Sequence, residues 1–144
     1  MEHAMTQIIL PKQRGIGVAL LALLCLGAAA PEGQPFQALQ KIELGLWDIK
    51  AKDVRDGSKT MCITDPAVLL QLAHPGLACK RFPISNAQTE ATVHYSCAGA
   101  GSGQTSIRVE TARLVQIDTQ GLVSQRPFQM KFEGRRIGNC LTAR

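Results

Sequence analysis

The sequence lacks the motifs that mark most metal-binding and catalytic proteins. No two cysteines are spaced two to four residues apart, which argues against a zinc site and against a Cys-x-x-Cys thiol oxidoreductase. There is no Gly-x-Ser-x-Gly nucleophile motif, and the Gly-rich stretch 98–103 does not end in Gly-Lys-Ser/Thr. We therefore predict no cofactor, no metal and no enzymatic activity, and we interpret 98–103 as a hairpin loop.

Aromatic residues and clustered basic residues are also scarce. Aromatics make up 4% of the chain, too few for an extended platform that stacks carbohydrate rings. The only adjacent basic pairs are Lys80-Arg81 and Arg135-Arg136, whereas a nucleic-acid-binding domain usually shows a basic cluster or stripe. No nucleic-acid partner is predicted.

Residues 1–30 have the three-part layout of a secretory signal peptide. Lys12 and Arg14 precede an uncharged run over 16–27, and three alanines ending at Ala30 supply the small residues that a signal peptidase reads. The run is shorter than the roughly 20 apolar residues that span a bilayer. We predict cleavage after Ala30, from a start at Met1 or Met5, and a periplasmic or secreted protein with no stable membrane span. A retained membrane anchor is the alternative.

The chain that remains after cleavage suits one small domain. It has 114 residues (31–144), with 14 basic and 10 acidic side chains and a net charge of +4. Its cysteines are Cys62, Cys79, Cys97 and Cys140, and an even number in an exported chain predicts disulfides. Four cysteines allow three pairings. We favour Cys62–Cys79, which would close a short helical segment, and Cys97–Cys140, which would tie the tail to a central hairpin.

Alternation of apolar and polar residues predicts a mainly β fold. The clearest hairpin has arms at 90–97 and 104–111, with Val93 and Tyr95 on one face and His94 on the other. Further strands are predicted at 45–51, 59–63, 79–85, 113–119 and 127–134, with a turn at 119–121. Short connections between the later strands make those strands antiparallel neighbours, so we expect an antiparallel meander that forms a curved sheet or a small barrel.

One short helix interrupts the strands at 66–73. Asp65 suits the N-cap and Pro66 the first helical position, while Pro75 and Gly76 end the helix. We divide the chain into a signal peptide (1–30), a leader segment (31–44) and a single β domain (45–144). Within the leader, 36–44 could form a helical turn or lead into a strand.

Several short motifs of this chain together resemble those of a bacterial exported family catalogued as domain of unknown function 3617. They are Gly45-Leu46-Trp47, Met61–Pro66, Cys79, Val93–Cys97 and Arg136–Cys140, which includes Gly138-Asn139-Cys140. The resemblance implies an exported single domain with two disulfides. It implies no activity, substrate or catalytic residue.

Three functions are compatible with this interpretation. The first is a binding module that holds a small apolar or amphipathic molecule against Trp47, Tyr95, Phe128 and Phe132. The second is an interaction protein of the envelope, which uses a sheet edge or basic strand ends to meet a protein or a membrane surface. The third is an enzyme without a recognisable motif, for which His94 would be the candidate base and His74 a helix-end residue.

Overall fold

The computed structural model describes residues 35–54 and 57–141. The predicted signal peptide lies outside the described residues. Within the described ranges, no helix is long and apolar enough to cross a membrane.

Seven antiparallel strands form one sheet, which confirms the predicted mainly β, antiparallel fold. The strands are β1 (Gly45–Ala51), β2 (Ser58–Ile63), β3 (Cys79–Asn86), β4 (Glu90–Cys97), β5 (Gly101–Thr111), β6 (Leu114–Val123) and β7 (Arg126–Gly138). Their spatial order is β2-β1-β7-β6-β5-β4-β3. The sheet is therefore open, with β2 and β3 as its edges, and it does not close into a barrel.

Two 3₁₀ helices cover one face of this sheet. The first spans Ala38–Lys41 and the second Pro66–Gln71. The second lies where the sequence predicts a short helix, and Asp65 caps it by accepting the backbone N–H of Ala67 at 2.9 Å. Its 3₁₀ form and its end at Gln71 fit its short length, because an isolated α-helix of this size is marginal.

The core lies between the two helices and the covered face of the sheet. Alternation along the strands sends every second side chain into it, as in β4, where Ala91, Val93, Tyr95 and Cys97 are buried. Fully burying one large apolar side chain contributes about 1.5–3 kcal/mol. The segment before β1 also takes part, because Ala38 and Leu39 are buried against the sheet.

The hairpin between β6 and β7 lies further along the chain than the sequence indicates. We predicted a turn at 119–121, but β6 continues through Gly121 to Val123, and the turn is made by Ser124 and Gln125. Both have positive φ, 49° and 66°, as a type I′ hairpin turn requires. The usual Asn-Gly signal for that turn is absent here, whereas Gly121 is a strand residue that resembles a turn signal.

All four cysteines among the described residues form disulfides, but our favoured pairing is wrong. The bonds are Cys79–Cys97 and Cys62–Cys140. Cys79 on β3 is directly opposite Cys97 on β4, with their Cα atoms 4.2 Å apart. Cys97 and Cys140 belong to opposite parts of the sheet, since β4 and β7 are three strand spacings apart, roughly 14 Å at about 4.8 Å each.

The second bond follows from the register at the other edge. Cys62 is opposite Leu46, and Leu46 is opposite Gly138, so that Cys140 reaches the same end of the sheet. The Cys62–Cys140 bond thus spans β1 and ties the edge strand β2 to the chain beyond β7.

Candidate functional site

Trp47, one of the four predicted ligand contacts, is a core residue. Its side chain is 0% exposed, and its indole Nε1 donates a hydrogen bond to the carbonyl oxygen of Glu43 at 3.0 Å. The ring packs over Gly134, where a Cβ atom would lie 3.5 Å from Trp47 Cε3. Trp47 therefore presents no surface to solvent.

Tyr95 is equally enclosed, but its surroundings are polar. It is 0% exposed, its ring covers Gly103 on the neighbouring strand, and its hydroxyl lies 3.1 Å from His74 Nδ1. Burial raises the pKa of the Tyr95 hydroxyl, and a hydrogen bond with the side chain of Thr119 partly opposes this shift.

A network of buried polar side chains surrounds Tyr95. Thr119 also bonds Thr105, with 2.8 Å between the two hydroxyl oxygens. His74 contacts the Ala100 carbonyl oxygen through Nε2 at 3.4 Å, so the residue that we assigned to a helix end is a buried member of this network. Buried polar groups require such partners, because an unpaired one costs about 1–3 kcal/mol.

The remaining two predicted contacts, Phe128 and Phe132, are half-buried and lie apart. Phe128 meets the ring of His74 edge-on, at 6.1 Å between centroids. Phe132 lines a small apolar cavity of about 310 Å³ together with Ile49, Met61 and Leu72. The structure does not gather the four aromatic residues around one cavity, and their role as ligand contacts stays a prediction.

A larger apolar cleft lies elsewhere, between the two 3₁₀ helices and the edge strand β3. Its volume is about 560 Å³. Most of its lining is apolar: Pro35, Phe36, Leu39, Ile42, Leu44, Pro66, Ala67 and Pro83. The sequence does not predict this cleft, although the apolar residues at 36, 39 and 42 indicate the helical turn that forms one of its walls.

Two charged side chains, Arg81 and Asp65, also line this cleft. Arg81 is opposite Tyr95 in the register of β3 and β4, so it points to the covered face. One of its terminal nitrogens donates to Gln71 Oε1 at 2.6 Å, while its buried Nε has no hydrogen-bond partner in the part of the chain that the structure describes. Among the described residues, no carboxylate forms an ion pair with Arg81.

His94, the candidate base, lies on the uncovered face of the sheet. It is exposed and opposite Phe82 of β3, and the two rings stack at 6.4 Å between centroids. Within residues 35–54 and 57–141, His94 has no hydrogen bond to a carboxylate or a hydroxyl group, and no cluster of three or more His, Cys, Asp or Glu residues could hold a metal ion.

These features define a class of protein: a disulfide-bonded antiparallel β sheet with one covered face and an apolar cleft at one edge. The chain belongs to the DUF3617 family of proteins of unknown function, whose family model matches residues 36–140. The match includes Phe36 at the cleft and the last disulfide cysteine, Cys140. Neither the curated proteins nor the solved structures give a significant match to this chain.

Proposed function

We propose that this protein is an exported binding module that holds a small apolar or amphipathic molecule in the cleft between the 3₁₀ helices and β3. The observation that carries the proposal is the cleft itself. Its volume of about 560 Å³ lies within the range of roughly 300–1,000 Å³ that is usual for small-molecule sites.

The lining supports an apolar ligand. Leu44 is 53% exposed at the cleft, and Phe36 and Ala67 are half-buried there. Apolar side chains that line a concave surface lose contact with water when a ligand covers them, at about 25 cal/mol per Å² of apolar area. The cleft therefore offers a binding free energy that a flat polar surface lacks.

A neutral fluorescent probe tests this function. N-phenyl-1-naphthylamine, whose fluorescence rises in apolar surroundings, should bind the wild-type protein saturably. Leu44→Gln should weaken binding about tenfold or more, because it places an amide in the apolar wall. Leu122→Gln is the matched control, since Leu122 is 45% exposed on β6 away from the cleft. Equal binding by both variants, or no saturable binding at all, would refute the proposal.

Export is part of the proposal and rests on residues 1–30. Intact-mass measurement on protein purified from the periplasm should give a chain that begins at Pro31. Non-reducing peptide mapping of the same sample should give linked Cys62–Cys140 and Cys79–Cys97 peptides. An uncleaved chain in which Cys62, Cys79, Cys97 and Cys140 are all free thiols would overturn the periplasmic assignment.

A second candidate function is interaction with another envelope protein through the outer edge of β3. This edge strand pairs only with β4, and Phe82 and Ile84 on it are 53% and 59% exposed. A photo-crosslinking residue at position 84 should then capture one defined partner in cells, whereas the same residue at the exposed position 104 on β5 should not. Equal labelling at both positions would count against this function.

A further inference from the structure

We infer that the ligand of the cleft is a free single-chain amphiphile with a carboxylate headgroup, and that Arg81 binds this headgroup. The inference rests on the proposed function and names the ligand class for the same cleft.

The hydrogen bonding of the Arg81 guanidinium favours an anionic ligand. A guanidinium group has five N–H donors and carries a positive charge in proteins. Here one terminal nitrogen bonds the neutral amide of Gln71, and the buried Nε has no hydrogen-bond partner among residues 35–54 and 57–141. Arg81 is half-buried, and a carboxylate matches the fork of guanidinium donors with two parallel hydrogen bonds.

Arg81 is held in place before any ligand binds. The Gln71 amide nitrogen donates to the carbonyl oxygens of His74 and Leu77, at 3.2 and 2.8 Å, which leaves Oε1 to orient Arg81. On β3, Arg81 is two residues beyond Cys79, whose disulfide ties this edge strand to β4. A pre-organised donor loses less conformational entropy on binding than a mobile one.

The charge of Arg81 contrasts with the mostly apolar lining of the rest of the cleft. Most of the surface beside Arg81 is apolar, from Pro83 on the same strand to Phe36 and Leu39 on the helical side. A cationic group next to an apolar channel suits a molecule that has one anionic end and one hydrocarbon chain.

The negative charge of Asp65 repels an anion, so a change at Asp65 tests the charge of the headgroup independently of Arg81. It also lines the cleft, but its side chain is exposed and already accepts the Ala67 N–H bond. Asn at this position keeps a capping oxygen and removes the negative charge. Asp65→Asn should thus strengthen binding of a carboxylate without loss of the helix cap.

The experiment compares three single-chain amphiphiles with twelve-carbon chains as competitors of N-phenyl-1-naphthylamine. Dodecanoate and dodecyltrimethylammonium are used below their micellar concentrations, and dodecanol is used below its solubility limit. Dodecanoate should displace the probe from the wild-type protein at a concentration about tenfold or more below that needed for dodecanol or dodecyltrimethylammonium. Arg81→Gln should abolish this preference, and Arg81→Lys should keep part of it. Asp65→Asn should increase it, and Arg108→Gln, at an exposed position on β5, should leave it unchanged.

The outcomes separate the inference from the function on which it rests. The inference fails if the probe binds but all three amphiphiles compete equally, or if Arg81→Gln keeps the preference for dodecanoate. In either case the cleft still binds apolar molecules. If the probe binds to no variant, the proposed function fails. Retained probe binding by Arg81→Gln shows that this variant is folded. Tighter binding to anionic phosphatidylglycerol vesicles than to dodecanoate, lost in Arg81→Gln, would assign Arg81 to a membrane surface and overturn the inference.

Discussion

The two halves of the sheet share one packing arrangement but differ in the polarity of the side chains around it. In the half formed by β2, β1 and β7, Trp47 covers Gly134, and the Cys62–Cys140 bond ties the edge. In the half formed by β3 to β6, Tyr95 covers Gly103, and the Cys79–Cys97 bond ties the other edge. Each half has one large aromatic ring over a glycine and one disulfide-bonded edge strand.

The difference lies in what surrounds each ring. The neighbours of Trp47 are apolar, and its only polar group bonds the local Glu43 carbonyl. Tyr95 is linked to His74 and Thr119, and β3, which borders its half of the sheet, contributes Arg81 to the cleft. The half that has buried polar groups is the half beside the proposed binding site. We expect the following changes to affect the two halves unequally.

Removal of each disulfide should have the largest effects on stability. In the chain-entropy model, the bond between residues separated by 78 positions should contribute about 4–5 kcal/mol, and the bond across 18 positions about 3 kcal/mol. Cys62→Ser with Cys140→Ser should therefore lower the urea midpoint more than Cys79→Ser with Cys97→Ser. A larger loss from the shorter bond would show that strand pairing at the β3 edge, and not loop entropy, determines the contribution.

Substitution of the two covered glycines, Gly103 and Gly134, should have the next largest effect on stability, and this effect should differ between the two halves. A Cβ atom at Gly103 would lie 2.5 Å from the Tyr95 hydroxyl oxygen and 2.6 Å from its Cζ, in a ring that hydrogen bonds hold in place. Gly103→Ala should cost stability in the upper part of the usual range of about 1–3 kcal/mol for overpacking. At Gly134 the nearest atoms are the ends of Val115 and Ile49 side chains, at 2.8 and 3.1 Å, which can move.

Gly134→Ala is the matched variant, and it should cost clearly less than Gly103→Ala in the same urea titration. Equal losses would mean that Val115 and Ile49 yield no more easily at Gly134 than the Tyr95 ring does at Gly103, which would remove the contrast between the halves.

Loss of the Tyr95 hydroxyl tests the polar network itself. Tyr95→Phe leaves His74 Nδ1 and the Thr119 hydroxyl without this partner, and we expect a loss of about 1–2 kcal/mol in the free energy of unfolding. Adding Thr119→Val should cost less than the sum of the two single changes, because both members of a pair are then removed. Strict additivity would contradict a direct interaction between these side chains.

The smallest effect is a dependence of stability on alkaline pH. Burial raises the pKa of Tyr95 above its ordinary value of 10.0, so the unfolded chain releases this proton first as the pH rises. The stabilising contribution is complete below pH 10 and is lost as the pH rises from there through the folded-state pKa. Urea midpoints of the wild type should fall more steeply across this range than those of Tyr95→Phe. Parallel curves would show that Tyr95 ionises equally in both states.

Local patterns predict all seven strands but only some of their ends, because β5 begins at Gly101, inside the segment 98–103 that we interpret as a loop. Alternation with a period of two predicts the strand bounds, since a strand sends successive side chains to opposite faces, and β1 and β4 begin and end where the pattern places them. Asp65 and Pro66 predict the start of the second 3₁₀ helix for an equally local reason, because an N-cap bonds its own helix. The hairpin turn at Ser124 and Gln125 shows the limit, since neither residue type favours positive φ.

Reading along the chain is enough to predict the mainly β class, the family and the participation of four cysteines in disulfides. These properties depend on composition, periodicity and motif order, which are readable along the chain. Three further properties emerge from the folded arrangement of the strands: which cysteines pair, the burial of Trp47 and Tyr95, and the meeting of Arg81 with Phe36 and Leu39 at one cleft. Each of these depends on strand order and on register between residues far apart in sequence, and neither is specified by the local preferences that make a segment a strand.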